Sequence, residues 1–256
     1  MKSRSIYDDS RFINPDTLTQ YAKTNEAYLR GPVKGLVIEF PGLDGGSCLG
    51  GNLTMGNYDS VYAQDFGANG ILLAYLYTGP WSWSSSSVRY ADAVIAAITA
   101  KYALLEETPL VVCGGSMGGY GTLLYALEGR HNLCAVAIAC PCTDIAFVCD
   151  HSIHPEMART VISAIMKYDM PLDEAICMLS PTNHICALPD VPYFICSDGA
   201  DDVFPEEQIE TFTQKLQSQG LTVTYFPQPD KKHGYFIPEV RQSMHSFIKF
   251  HILKKE

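Results

Sequence analysis

Gly114-Gly115-Ser116-Met117-Gly118 follows an apolar run, Leu110 to Cys113, and precedes a stretch of helical periodicity. A Gly-x-Ser-x-Gly pattern between a strand and a helix is the mark of a nucleophile elbow. The sharp turn forces the central Ser into a strained conformation with its hydroxyl exposed, and the flanking glycines leave room for strand and helix to approach. The helix start also sets the Met117 N–H beside that hydroxyl, where it can stabilise an oxyanion. A Ser hydroxyl is a weak nucleophile until a base takes its proton. Of the seven histidines, His233 is best placed, in the polar loop Pro229-Asp230-Lys231-Lys232-His233-Gly234. His131 falls past the far end of the helix that begins at Ser116, and His245 and His251 lie within the final helix. His151, His154 and His184 belong to a stretch without strand signals or to its exit. The base in turn needs a carboxylate to fix its tautomer. Ser197-Asp198-Gly199-Ala200-Asp201-Asp202 offers three, just past an apolar run.

These residues require a scaffold that gathers loops at one edge. Short apolar runs alternate with helical stretches along most of the chain, which predicts an α/β fold with a mostly parallel sheet covered on both faces. Strands are expected at Gly35 to Phe40, Ile71 to Tyr77, Leu110 to Cys113, Leu133 to Ala139, Pro192 to Cys196 and Thr222 to Phe226. Helices are expected over Ser60 to Phe66, through Ala91, Val94, Ile95, Ile98 and Tyr102, after Ser116 up to Gly129, from Pro205 to Gly220, and through Val240, Met244, Phe247 and Ile248. From Thr143 to Asp190 the alternation breaks, and Met157 to Met170 reads as helix. The expectation is one domain over residues 1–256, with 143–190 a helical cap insertion. Phe147, Met157, Ile162, Ile165 and Met166 then either roof a pocket or pack on the core.

The motifs match more than a generic fold. The chain resembles the α/β-hydrolase superfamily, in particular its branch of esterases and catalytic domains similar to prolyl oligopeptidases. Gly114 to Gly119 matches the Gly-x-Ser-x-Gly-Gly elbow of that branch, and Ser180-Pro181-Thr182-Asn183-His184 matches a segment before the penultimate core strand. Ser, Asp, His is also the chain order used there. Aligning Pro205 with the Pro that ends the family's acid loop puts Asp201 on the acid, and His233-Gly234 matches its base. Two departures stand out. Ser197-Asp198 replaces His-Gly in the acid loop, which keeps Asp198 and Asp202 open as substitutes. Pro41-Gly42-Leu43-Asp44-Gly45-Gly46 replaces the family's His-Gly-Gly or Tyr-Gly-Gly, so the second oxyanion donor is expected from the Leu43 N–H and no Tyr supplies it. The propeller of the large peptidases is expected to be absent. Both differences favour an esterase, with a small peptidase, acyltransferase, lyase or non-catalytic binding protein as alternatives.

Composition sets the remaining expectations. Of 256 residues, 47% are hydrophobic and 18% charged, and the formal net charge is -10. That balance, with no basic patch, argues against nucleic acid as partner. The polar start and the short, interrupted apolar runs predict neither a signal peptide nor a membrane span, so a cytoplasmic protein is expected. Nine cysteines without regular spacing do not suggest a disulfide framework. Cys140, Cys142, Cys149, His151 and His154 cluster, but not at the spacing of a zinc site, so neither metal nor cofactor is expected. Trp81 and Trp83 follow a strand and are candidates for an aromatic pocket wall. The expected substrate is a small ester or short peptide. Oligomeric state is not legible.

Overall fold

The structure, a computed structural model, describes residues 10–51, 58–78, 83–151 and 155–254. Its centre is a sheet of seven strands: β1 (Ala22–Thr24), β2 (Gly35–Phe40), β3 (Ile71–Leu76), β4 (Leu110–Gly115), β5 (Ala135–Ala139), β6 (Tyr193–Asp198) and β7 (Val223–Gln228). They lie in the order β1-β3-β2-β4-β5-β6-β7. All neighbours run parallel except β1, which pairs antiparallel with β3 at one edge. Strands β2 to β6 are buried along their whole length, as a parallel sheet covered on both faces must be.

Eight helices provide the cover among the described residues: α1 (Val61–Ala68), α2 (Ser86–Tyr102), α3 (Met117–Glu128), α4 (Ile145–His151), α5 (Pro155–Ile165), α6 (Leu172–Leu179), α7 (Glu206–Ser218) and α8 (Pro238–Leu253). On one face Ala63 and Phe66 of α1 and Val240, Met244 and Ile248 of α8 pack on Val37, Val111 and Phe194. On the other, α2, α3 and α7 bury Ile95, Leu123, Ile209 and Phe212 against Ile38, Val112 and Ile195. Each such Leu, Ile or Phe contributes roughly 1.5–3 kcal/mol. Local signals set several ends. Ser60 caps α1 by accepting from the Ala63 N–H at 3.0 Å, and acidic Glu206 and Glu207 open α7 where the helix dipole is positive. The fold is that of an α/β-hydrolase.

Two expectations needed correction. Edge strand β1 escaped sequence reading because Ala22-Lys23-Thr24 has neither an apolar run nor a clear alternation; its pairing with Leu76, Tyr75 and Ala74 defines it. The single helix expected over Met157 to Met170 ends at Ile165, and α6 starts only after Pro171. Between Thr143 and Asp190 the described residues form helices and turns and contain no strand. The apolar residues of this stretch divide: Ile165 joins the core, Met166 is 71% exposed, and Met157 faces the cavity described below.

Candidate active site

Strand order places the site. The chain leaves β2 for β3 on one side and returns to β4 on the other, so the carboxyl ends of β2 and β4 face a crevice. Ser116 sits at the end of β4 with φ 57° and ψ -127°, a left-handed conformation that costs a non-glycine residue energy. The surrounding structure imposes it. The Ser116 N–H donates to the Ala139 carbonyl at 2.9 Å, and the Tyr120 N–H donates to the Ser116 carbonyl at 3.2 Å. The glycines are sterically required. A Cβ on Gly118 would overlap the Phe40 carbonyl, and one on Gly114 would overlap the Gly118 backbone.

The expected partners converge on this hydroxyl. His233 Nε2 lies 2.7 Å from Ser116 Oγ, and His233 Nδ1 lies 2.7 Å from Asp201 Oδ2. The other Asp201 oxygen accepts from the Val203 and Phe204 N–H groups, both at 2.8 Å, so the carboxylate is held on both sides. With Asp201 ionised, Nδ1 carries the ring proton and Nε2 is left to accept from Ser116. The Phe204 ring stands edge-on to the imidazole, with centroids 5.1 Å apart.

The three aspartates differ in placement, and only Asp201 is within hydrogen-bond distance of the His233 ring. Asp202 is exposed, whereas Asp198 is buried behind His233. Asp198 Oδ2 accepts from the Gly234 N–H at 2.8 Å, and Oδ1 accepts from Gln228 Nε2 at 2.6 Å. Gln228 Oε1 in turn accepts from the Ile237 N–H at 3.1 Å. Asp198 and Gln228 therefore clamp the loop that carries His233. Backbone bonds from Gly199 to Gln228 and from Ala200 to Lys231 join the two loops further. Burial pushes the Asp198 carboxyl up to about 6, and the neighbouring Asp201 charge adds to the rise.

The loop after β2 is a second built feature. The Gly42 N–H donates to the Gly46 carbonyl, Gly45 to Gly42, and Gly46 to Asp44 Oδ1, which turns Leu43 outward beside the cavity. Among the described residues neither the Leu43 nor the Met117 N–H has a hydrogen-bond partner, and Met117 is the first residue of α3, where N–H groups lack helical acceptors. The loop is anchored from below by Glu39, which is fully buried. Its oxygens accept from Ser47 Oγ (2.8 Å), Tyr58 OH (2.7 Å), Cys48 Sγ (3.3 Å) and the Leu49 N–H (3.3 Å). Burial raises its pKa above the ordinary carboxylate value, while these donors oppose the rise. Sequence reading missed Glu39, although one charge inside the apolar run Gly35 to Phe40 was a signal available to it.

Ser116 and His233 open into a cavity of about 630 Å³, whose apolar wall includes Leu43, Trp83, Met157, Val203 and Phe236. Trp83 is fully buried against Tyr120 and Phe204, so it serves the core and the cavity together; Trp81 lies outside the described residues. Cys140 also reaches the cavity, but burial pushes its thiol well up, which keeps it protonated and a poor nucleophile. Of the other histidines, His131, His184, His245 and His251 do not line this cavity, and His154 lies outside the described residues. His131 pairs with Asp92 and Tyr125, and His245 is buried against Phe66 near Asp65.

A family profile described as "Prolyl oligopeptidase family" matches residues 83–254, which is most of the chain. The chain belongs to the prolyl oligopeptidase family. It is thereby a member of a family of serine hydrolases. No curated protein sequence matches it. Among solved structures it is similar to a puromycin hydrolase (16% identity, TM-score 0.70, 88% of this chain and 35% of that one). It is also similar to the acylaminoacyl peptidase of Pyrococcus horikoshii (16%, 0.67, 87% and 37%) and to esterase B of Lactobacillus Rhamnosis (15%, 0.62, 87% and 76%). The chain thus spans about a third of the first two and three quarters of the esterase, and at such identities the likeness concerns fold.

Proposed function

We propose that the chain cleaves a small carboxylic ester through an acyl-enzyme, with Ser116 as nucleophile, His233 as general base and acid, and Asp201 as the carboxylate that orients the imidazole. The supporting observation is the unbroken hydrogen-bonded line from Ser116 Oγ through His233 to Asp201, both links at 2.7 Å. In this reading Ser116 Oγ attacks the carbonyl carbon as its proton passes to His233 Nε2. The Leu43 and Met117 N–H groups receive the oxyanion, at about 3 kcal/mol of transition-state stabilisation for each donor. Collapse breaks the C–O bond, and the alcohol leaves with the proton held by His233. Water then repeats the sequence and frees the acid. The insertion, with Met157 on the cavity wall, acts as a partial roof. No cofactor enters these steps. Nine free cysteines suit a reducing compartment such as the cytoplasm.

A second reading, hydrolysis of short peptide amides, is favoured by the family match itself. The ester reading rests on the segment Pro41 to Gly46, which has no tyrosine where the peptidases of this branch offer a tyrosine hydroxyl to the oxyanion. Matched p-nitrophenyl esters and aminoacyl p-nitroanilides, compared by kcat/KM, separate the two. Faster ester turnover supports the first reading and faster anilide turnover the second, and neither in folded protein sinks both.

A further inference from the structure

Arg241, in the first turn of α8, lines the same cavity as Ser116 and His233. Its guanidinium carbon stands 5.6 Å from the centroid of the Phe236 ring. That ring packs on the nucleophile turn, since a Cβ on Gly115 would lie 3.2 Å from it. The guanidinium and the backbone beside Ser116 thus both lie near the Phe236 ring. Arg241 Nε is buried and, among the described residues, has no hydrogen-bond partner. Among the described residues, no carboxylate pairs with the guanidinium, although Asp44 and Glu156 line the same cavity. Asp44 Oδ1 is already engaged with the Gly46 N–H at 3.0 Å. Buried cationic donors are ordinarily satisfied, and a guanidinium presents its donors in a fork that matches an oxyanion.

We propose that Arg241 is a specificity-determining residue that receives a carboxylate of the substrate, so that the enzyme prefers acyl compounds with an apolar body and an anionic group. The inference rests on the reading of Ser116 as nucleophile. The net charge of -10 offers no long-range attraction for such a substrate, so the preference must arise at short range, from the Arg241 contact itself. The apolar wall opposite would hold the rest of the molecule.

Two pairs of esters test this, each comparing a carboxylate with its neutral carboxamide. One pair varies the acyl side, as p-nitrophenyl glutarate against p-nitrophenyl glutaramate. The other varies the leaving group, as the butyrates of 4-hydroxyphenylacetate and 4-hydroxyphenylacetamide. The readout is the ratio of kcat/KM for acid over amide within each protein, so that a general loss of activity cancels. At least one pair is expected to favour the acid about tenfold or more in wild type, chiefly through KM. That ratio collapses towards unity in Arg241→Met and recovers in part in Arg241→Lys. Ratios near unity in both wild-type pairs, or a preference that survives Arg241→Met, overturn the proposal while turnover of the amides leaves the hydrolase reading intact. No turnover of any of the four by wild type overturns both.

Discussion

Replacing Asp198 by Asn separates the acid that orients the ring from the carboxylate that holds its loop. In the native state Asp198 keeps its proton up to about pH 6, whereas in the unfolded chain it releases it near 3.8. Between those values the native state binds more protons, so stability falls as pH rises through that window, and the loss is complete above it. The full difference corresponds to about 3 kcal/mol, which solvent screening trims to roughly 1–2 kcal/mol. Asn does not titrate, so the variant lacks this slope. It also cannot accept from both partners: if its oxygen serves the Gly234 N–H, its amide faces Gln228 Nε2. Turning the Gln228 amide over would then oppose the Ile237 N–H, so one buried donor stays unsatisfied wherever the conflict is placed. Guanidinium unfolding of both proteins at pH 4.5 and 7.5 reads the outcome. Relative to wild type, the variant should gain about 1 kcal/mol between the two pH values, since pH 4.5 already lies inside the window, while kcat/KM at pH 7.5 falls because the His233 loop is loosened. A stability difference that is flat, or that moves in favour of wild type as pH rises, would refute the assignment of Asp198.

Three further substitutions test the supporting shell. Gly118→Ala drives a methyl into the Phe40 carbonyl, so it should destabilise by about 1–3 kcal/mol and slow acylation, read by guanidinium unfolding and single-turnover kinetics. Glu39→Ala removes the acceptor of four donors; Ser47 and Tyr58 can still bond each other at 2.6 Å, so the expected loss is about 2–3 kcal/mol with a fall in kcat as the Leu43 loop relaxes. Met157→Ala, at a buried cavity-lining position, should cost about 2–5 kcal/mol and raise KM for longer acyl chains more than for acetate, which an ester-length series would show.

Much of this site was legible because its chemistry imposes local sequence. Gly114 and Gly118 are required by contacts closer than any side chain allows, and a strand before Ser116 with a helix after it gave the pentapeptide its meaning. The fully buried strands announced themselves as apolar runs. What stayed hidden depends on packing between distant segments. Asp198, Asp201 and Asp202 share one loop, and only the fold turns one towards His233, buries one against Gly234 and leaves one in solvent. Trp83 was equally suited to core or pocket, and its position at their boundary satisfies both. Arg241 sits in a helix whose periodicity describes its buried face, Val240, Met244 and Ile248, and carries no information on what the neighbouring residues meet. The break between α5 and α6 was within reach, since Pro171 marks it.

The central claim is that His233 activates Ser116, and covalent labelling tests it most directly. Wild type and Ser116→Ala would be treated with a fluorophosphonate at neutral pH and analysed by intact and peptide mass spectrometry. The account predicts a single adduct on the peptide carrying Ser116, absent from the variant and strongly slowed in His233→Ala. A folded wild-type protein that takes no adduct, or takes one on another residue, would contradict it.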